Sequence, residues 1–380
     1  MILKKQLIAS RFSIEKSNCI TLSSQSFQIP FISEVKLRLE SGQYILRNSN
    51  CPCGVSREKN KDIVISEIDR YGLPLNSVIC IKCGTVRIDP YLDAKSLNDF
   101  YSNLYQKMYG RATDVESYFQ RQKSYGRKVF SIFQNYLHPG SWVCEIGCGA
   151  GGALKVFQDQ KINVAGCDYS HELIQDGKKR GVTNLYYGGI EALKSSVNSI
   201  RFDLIFLHHV FEHLDEPLAF LNNCRNLLNE NGRIVIIVPD ISGIDSSRFP
   251  AGDLLPYLHI AHKYNFSFKG LQSLSEHSGY SISVLQPDPN LRTPCSDSSE
   301  LWVEMKIIPD LVFLDMQKSM LIDSSLEVGK DVLNYLVRTE KLHSLGLCNA
   351  QVAKKIDELR GRLSLRQKLR KIKKFFSGNA

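Results

Sequence analysis

The chain has 380 residues, with 48 Lys+Arg against 39 Asp+Glu and 43% hydrophobic residues. That composition suits one large globular domain or two to three smaller ones, and it excludes disorder, collagen, coiled-coil rods and disulfide mini-proteins. No apolar run reaches the roughly 18–20 residues of a membrane-spanning helix, and the opening residues lack the apolar stretch of a secretory signal. The charge is uneven. Eight basic residues and no acid lie between Arg360 and Ala380, while the other 359 residues carry 40 basic and 39 acidic groups. A near-neutral body argues against a nucleic-acid-binding domain. Eleven cysteines without a secretory signal point to a reducing compartment, so a cytoplasmic location is expected.

In chain order, residues 1–43 are read as an N-terminal strand segment. Phe27, Ile29, Phe31, Val35, Leu37 and Leu39 largely alternate, which predicts one or two half-buried strands with Pro30 at an edge or break. Residues 44–92 hold two cysteine pairs, Cys51-Pro-Cys53-Gly and Cys80-Ile-Lys-Cys83-Gly. Two short pairs, each followed by glycine, form the knuckle pattern of a zinc site. Four thiolates hold zinc tetrahedrally, and the absence of a nearby His predicts a closed, structural ion rather than a catalytic one. Two unrelated pairs of reduced cysteines are the alternative. Residues 93–138 read as a helical linker or lid rich in aromatics (Phe100, Tyr101, Tyr105, Tyr109, Tyr118), with a helix over 119–137 stopped by Pro139-Gly140. Tyr105 and Tyr109 either reach over a site or pack the helix.

From 139 to 310 the pattern changes. Short apolar strands at 142–146, 163–168, 184–187, 202–207 and 233–238 alternate with helices at 151–160, 171–180 and 216–229. A helix at 268–278 and strands at 281–286 and 301–308 follow. Repeated alternation predicts an α/β fold, a Rossmann-like doubly wound sheet covered on both faces. Residues 311–380 form a helical C-terminal extension. Within 356–376, apolar residues spaced near three and four with lysines and arginines between them make a basic amphipathic helix. Such a helix suits an anionic membrane surface at the inner face or a biosynthetic partner protein; packing on its own domain and nucleic-acid contact are the alternatives.

The central motif is Glu145-Ile-Gly-Cys-Gly-Ala-Gly-Gly152, at the junction of the first strand and helix. Its glycines also satisfy a dinucleotide fingerprint, with Asp168 standing 21 residues beyond Gly147. Glu145 breaks the tie. A carboxylate there would repel a pyrophosphate, whereas S-adenosyl-L-methionine (SAM) presents an ammonium and a sulfonium. Asp168, ending the second strand, is placed to accept both ribose hydroxyls.

These residues resemble the class I SAM-dependent methyltransferases over about residues 120–310. Glu145 to Gly151 is the first motif, Asp168-Tyr169 the ribose position, and Tyr187-Gly-Gly-Ile-Glu-Ala-Leu193 the adenine loop. His208-His-Val-Phe-Glu-His213 is the segment after the fourth strand, and Asn229 to Pro239 the turn and fifth strand. The resemblance implies cofactor contacts from Glu145, Gly147, Cys148, Gly149, Gly151, Asp168, Tyr169, Ile190, Glu191, His208 and His209. Gly189 stands where the family often has Asp, so Glu191 or a backbone carbonyl would take over the adenine amino group. The four-cysteine module, Phe100-Tyr101, Tyr105 and the segment His259 to Ser267 are similar to zinc-containing methyltransferases of sugar and surface-glycan biosynthesis. In that comparison His262 matches a catalytic base. Ala261 replaces the preceding Glu, which weakens C-methylation and leaves O-methylation open.

Methyl transfer needs alignment of donor and acceptor and removal of one proton. The candidates for that chemistry are His262, His213 and Glu212, with Tyr105 at the edge of the site. The reading is thus an enzyme acting on a small sugar-type acceptor, with SAM and structural zinc. The competing class is a zinc-ribbon binding protein on a degenerate methyltransferase fold.

Overall fold

The computed structural model describes residues 4–5, 8–16, 26–55, 62–109, 114–197, 200–244, 252–287, 299–309 and 329–344. The basic amphipathic stretch at 356–376 lies outside the described residues.

The N-terminal half contains β1 (Lys4–Lys5), α1 (Ile29–Glu40), β2 (Leu46–Arg47), β3 (Ile63–Ser66), β4 (Ser77–Ile79), β5 (Val86–Ile88) and β6 (Tyr91–Leu92). Next come α2 (Ala94–Asp99), a π-helical turn at Phe100–Tyr105, α3 (Gln106–Tyr109) and α4 (Val115–Phe133). The expected strands at 27–39 are instead the helix α1. Pro30 sits in its first turn, where a missing N–H breaks no helical bond. Ile32 and Val35 are buried three residues apart and Leu39 packs beside them, whereas Leu37 is 59% exposed. The apparent alternation therefore hid a helical stripe. Helix α4 also starts earlier than expected, because Asp114 caps it by accepting the Ser117 N–H at 2.9 Å.

The second half contains β7 (Trp142–Ile146), α5 (Gly152–Asp159), β8 (Asn163–Asp168), α6 (His171–Lys179), β9 (Leu185–Tyr187), α7 (Ile190–Val197) and β10 (Phe202–His208). It continues through α8 (Pro217–Arg225), β11 (Leu228–Pro239), β12 (Tyr264–Asn265), α9 (Phe268–His277), β13 (Tyr280–Val284) and β14 (Glu300–Ile307). Helix α10 (Gly329–Ser344) is the last described element.

Seven strands form one sheet in the order β13-β14-β11-β10-β7-β8-β9. The five strands from β9 to β11 pair in parallel, and β14 runs antiparallel to both β11 and β13. Alternate residues of the strands feed two cores. Cys144, Ile146, Ile205, Leu207 and Ile236 face α7, α8 and α9, and Val143, Val164, Leu204, Phe206 and Val235 face α4, α5 and α6. Each fully buried aliphatic side chain contributes about 1.5–3 kcal/mol, which explains why these strands read as near-continuous apolar runs. Strand order reverses at β7, whose neighbours are β8 on one side and β10 on the other. Open α/β sheets bind ligands at that crevice. This is the doubly wound, Rossmann-like architecture the alternation predicted.

A second sheet has the order β1-β3-β4-β5-β12. Its last strand comes from the second half of the chain and pairs antiparallel with β5, Tyr264 opposite Arg87 and Asn265 opposite Val86. The cysteine module and the doubly wound domain therefore share a sheet, a join that their separation in sequence concealed.

Candidate active site

At the end of β7 the chain turns through Gly147 to Gly151 into α5. The N–H groups of Gly147 and Cys148 both donate to the carbonyl of Cys167, at 2.8 and 3.0 Å. Gly147 has φ +75°, and a Cβ there would overlap Cγ2 of Val210. Glycine is required on both counts, and the close approach sets β10's exit segment directly against the glycine turn. The Gly149 N–H donates to Asp168 Oδ2 at 2.9 Å and the Ser170 N–H to Oδ1 at 2.8 Å, so backbone fixes the carboxylate's orientation. Gln122 of α4 clamps the turn from outside. Its Nε2 donates to the Cys148 carbonyl at 2.6 Å and its Oε1 accepts the Gly152 N–H at 3.3 Å. Cys148 itself is buried in the core behind the turn. Gln122 carried no motif, and sequence reasoning missed it.

Glu145 is 4% exposed, and its Oε2 has no hydrogen-bond partner among the described residues. Burial, and secondarily the neighbouring Asp168, push its carboxyl well above the usual carboxylate range. A cation brought beside it would reverse that shift. Tyr169 follows Asp168 and is 79% exposed. A side chain at Gly189 would overlap the Tyr169 hydroxyl, so the phenol occupies the space that an Asp would need. Ile190 packs against the core, and the Glu191 carboxylate is engaged by Lys194 Nζ at 3.1 Å and Asn223 Nδ2 at 3.0 Å.

The opposite wall begins where β10 ends. His209 has φ +52°, a left-handed backbone uncommon outside glycine and concentrated at functional sites. The turn sets its ring between two carboxylates, Nε2 at 3.0 Å from Glu300 Oε1 and Nδ1 at 3.5 Å from Glu212 Oε1. His208 packs against Tyr125, ring centroids 3.6 Å apart and tilted by 40°. Glu300 also accepts hydrogen bonds from the Tyr125 hydroxyl at 3.3 Å and Trp302 Nε1 at 3.0 Å. Burial alone would raise the Glu300 carboxyl, but His208 and His209 outweigh it and hold it well below the usual range. Glu300 and Tyr125 were also missed, because nothing local to either marks it.

Three imidazoles converge on one oxygen of Glu212, which is 1% exposed. Besides His209 Nδ1, the Nε2 atoms of His262 and His213 lie 3.8 and 4.0 Å from Oε1. His213 Nδ1 is 2.5 Å from the Ala261 carbonyl. A carbonyl only accepts, so Nδ1 carries a proton, and Nε2 is the nitrogen turned toward Glu212. The Tyr101 hydroxyl donates to the same carbonyl at 3.2 Å. His262 packs against His259 at a centroid distance of 3.7 Å, the rings tilted by 43°. Tyr105 is 7% exposed and meets His213 edge-on at 6.2 Å, as part of the wall rather than an open lid. The structure thus brings together His262, His213 and Glu212, and Glu212 sets a carboxylate near His262, where the preceding residue, Ala261, has none.

The loop carrying His262 is tied to the N-terminal module. Asp69 Oδ2 accepts the Ile260 N–H at 3.1 Å, the Tyr91 hydroxyl donates to the Ile260 carbonyl at 2.9 Å, and the Ile88 N–H donates to the Lys263 carbonyl at 3.0 Å.

The four cysteines of that module are buried together. Sγ separations are 3.3 Å for Cys51–Cys53, 3.5 Å for Cys51–Cys83 and 3.9 Å for Cys53–Cys80. Zinc–sulfur bonds of about 2.3 Å imply tetrahedral edges near 3.8 Å, so the donor set fits a closed zinc site. The Gly84 N–H returns to the Cys80 carbonyl at 2.8 Å, closing the second knuckle. Beside it, Arg87 is fully buried and bridges Asp62 and Asp89 at 2.5 and 3.2 Å.

Residues 119–282 match a family model described as a methyltransferase domain. The chain is 24% identical over 203 residues to malonyl-[acyl-carrier protein] O-methyltransferase 1 of Ilyobacter polytropus, covering 52% of this chain and 70% of that one. It is 26% identical over 101 residues to the ubiquinone biosynthesis O-methyltransferase of Haemophilus ducreyi, covering 24% of this chain and 43% of the relative. Among solved structures, the plantazolicin methyltransferase BamL aligns at 18% identity and a TM-score of 0.39, over 56% of this chain and 94% of its own. A SAM-dependent methyltransferase from Archaeoglobus fulgidus aligns at 17% identity and a TM-score of 0.38, over 48% of this chain and 94% of its own.

Proposed function

From the methyltransferase domain at residues 119–282, we propose that this protein is a SAM-dependent methyltransferase acting on a small polar acceptor, in the first instance a sugar nucleotide or glycan precursor. The carrying observation is Glu145, a buried carboxylate with an orphaned oxygen at the topological switch point. A dinucleotide would bring pyrophosphate there and face repulsion. The aminoacyl end of SAM brings an ammonium, which satisfies Oε2 and favours the ionised carboxyl. Asp168 would take the ribose hydroxyls, and Tyr169 and Ile190 would flank the adenine. Glu191 is already engaged by Lys194 and Asn223, so a backbone group near Gly188 is the better candidate for the adenine amino contact.

When bound, SAM supplies a methyl carbon activated by the sulfonium. The chain's residues must hold the acceptor in line and remove its proton. Val210, two residues before Glu212, packs on Gly147, which supports the Glu212–His213–His262 cluster for that task, with His262 the leading base and Glu212 stabilising its charged form. His208 and His209, engaged by Glu300, form the wall between the two halves of the site. The aromatics at 100–105 and the attached cysteine module support a sugar-type acceptor. In the module, Cys51, Cys53, Cys80 and Cys83 would hold a structural zinc.

Asp168→Ala is expected to remove a bidentate charge-assisted contact of about 1.5–3 kcal/mol, which is about 10- to 100-fold in SAM affinity. Calorimetric titration with SAM checks it. Unchanged affinity, or parent protein that binds NAD more tightly than SAM, would overturn the site assignment. Screening sugar nucleotides for a mass gain of one methylene identifies the acceptor.

A further inference from the structure

The carboxylate–histidine groups of this protein differ in how they are closed. At Asp253 and Glu340 the Arg11 guanidinium sits between the acids at 2.6 and 2.7 Å. At Glu300 an imidazole nitrogen arrives at hydrogen-bond distance, 3.0 Å. At Glu212 one oxygen gathers three imidazole nitrogens, His209 Nδ1 at 3.5 Å, His262 Nε2 at 3.8 Å and His213 Nε2 at 4.0 Å. We propose that Glu212, His213 and His262 form a binding site for a divalent first-row transition-metal cation, which receives an oxygen of the methyl acceptor.

The proposal deepens the methyltransferase reading and rests on it for the acceptor's role. The three donor atoms lie within 4.8 Å of one another. Bonds of about 2.0–2.2 Å place the ligand atoms of a tetrahedral site about 3.4 Å apart, so the two carboxylate–imidazole gaps need to close by about 0.4 and 0.6 Å and the third pair by at most about 1.4 Å. Two imidazoles and a carboxylate suit manganese, cobalt, nickel or zinc. The second shell is already built: His213 donates its Nδ1–H to the Ala261 carbonyl, as metal-ligating histidines do, which leaves Nε2 as the donor. The His259 ring packs against the His262 ring, tilted by 43° at a centroid distance of 3.7 Å. Three protein donors leave positions open, and the side chains of His213 and His262 keep 15% and 12% exposure. An acceptor hydroxyl entering an open position would ionise more readily. Its O–H proton passes to water, its oxygen bonds to the methyl carbon, and the carbon–sulfur bond breaks to leave a neutral thioether. His262 would then act as a ligand in place of a base.

The test is titration of the full chain, cysteine module intact, with Mn²⁺ followed by electron paramagnetic resonance, because Mn²⁺ favours oxygen and imidazole over thiolate. One ion per chain should bind. Glu212→Gln and His262→Ala should each weaken it by at least about 10- to 100-fold, the loss that even an outer-shell partner brings. SAM affinity, measured on the same samples, reports that the variants are folded. No Mn²⁺ bound by protein that binds SAM overturns the proposal and leaves His262 as the base, as does Mn²⁺ retained by both variants. Mn²⁺ bound without SAM binding or methyl transfer supports the cation site and overturns the methyltransferase reading instead.

Discussion

His262→Ala is expected to lower turnover by about 10²–10⁴-fold, or about 3–5 kcal/mol of transition-state stabilisation, with little change in SAM affinity. The asymmetry follows from where the residues sit. The proposed cofactor contacts come from the ends of β7 and β8, whereas His262 belongs to a loop tied to Asp69, Tyr91 and Ile88. The result does not depend on whether His262 takes the proton itself or holds a cation. With His262 as the base, His213→Ala is expected to cost less, because its Nδ1 is engaged by the Ala261 carbonyl and only Nε2 faces Glu212; with a cation held by both histidines, the two losses should be alike. Steady-state rates beside calorimetric SAM affinities make the comparison. Equal, small losses in both variants would remove the cluster from the chemistry and leave alignment of donor and acceptor as the whole of catalysis.

Cys80→Ser is expected to abolish turnover while SAM still binds. Elemental analysis of the parent should give one zinc per chain, and the variant little or none. Structural zinc supplies an apparent 10–16 kcal/mol in zinc-finger peptides, about as much as the roughly 5–15 kcal/mol that holds a whole domain folded. The module around Cys51, Cys53, Cys80 and Cys83 should therefore open. The damage reaches the site through the shared sheet: β5 follows the second knuckle directly, and β12, which follows His262, hydrogen-bonds to it. Hydrogen exchange should show lost protection in β3, β4, β5 and β12 and retained protection in β7, β8 and β10. Parent protein purified without chelators that contains no zinc would end the metal assignment. A variant that loses zinc but keeps full turnover would show that the loop stands without the module.

The glycine turn, Glu145 and Asp168 were legible because each lies at a strand end within a short run of residues. Local geometry there is dictated by neighbours in sequence: a strand must end, a chain must turn, and glycine must take the positive φ. The cysteine knuckles were legible for the same reason. Gln122, Tyr125 and Glu300 were not. Glu300 meets His209 across 91 residues and Tyr125 across 175, and no spacing rule reaches that far. The segment at 27–39 was misread because its apolar residues satisfy period two as well as a helical stripe. Only packing of Ile32 and Val35 into the N-terminal core decides between them.

By itself, then, the sequence determined the strand–helix alternation, the switch-point turn with its acid, and the paired thiols, all set by short-range sterics and hydrophobic period. Tertiary structure alone decided which acid lies beside His262. Ala261 offers only its carbonyl, which orients His213, and Glu212 comes from the far side of the cleft. It also decided that the cysteine module shares a sheet with the strand that follows His262, because strand pairing joins backbones regardless of their distance along the chain.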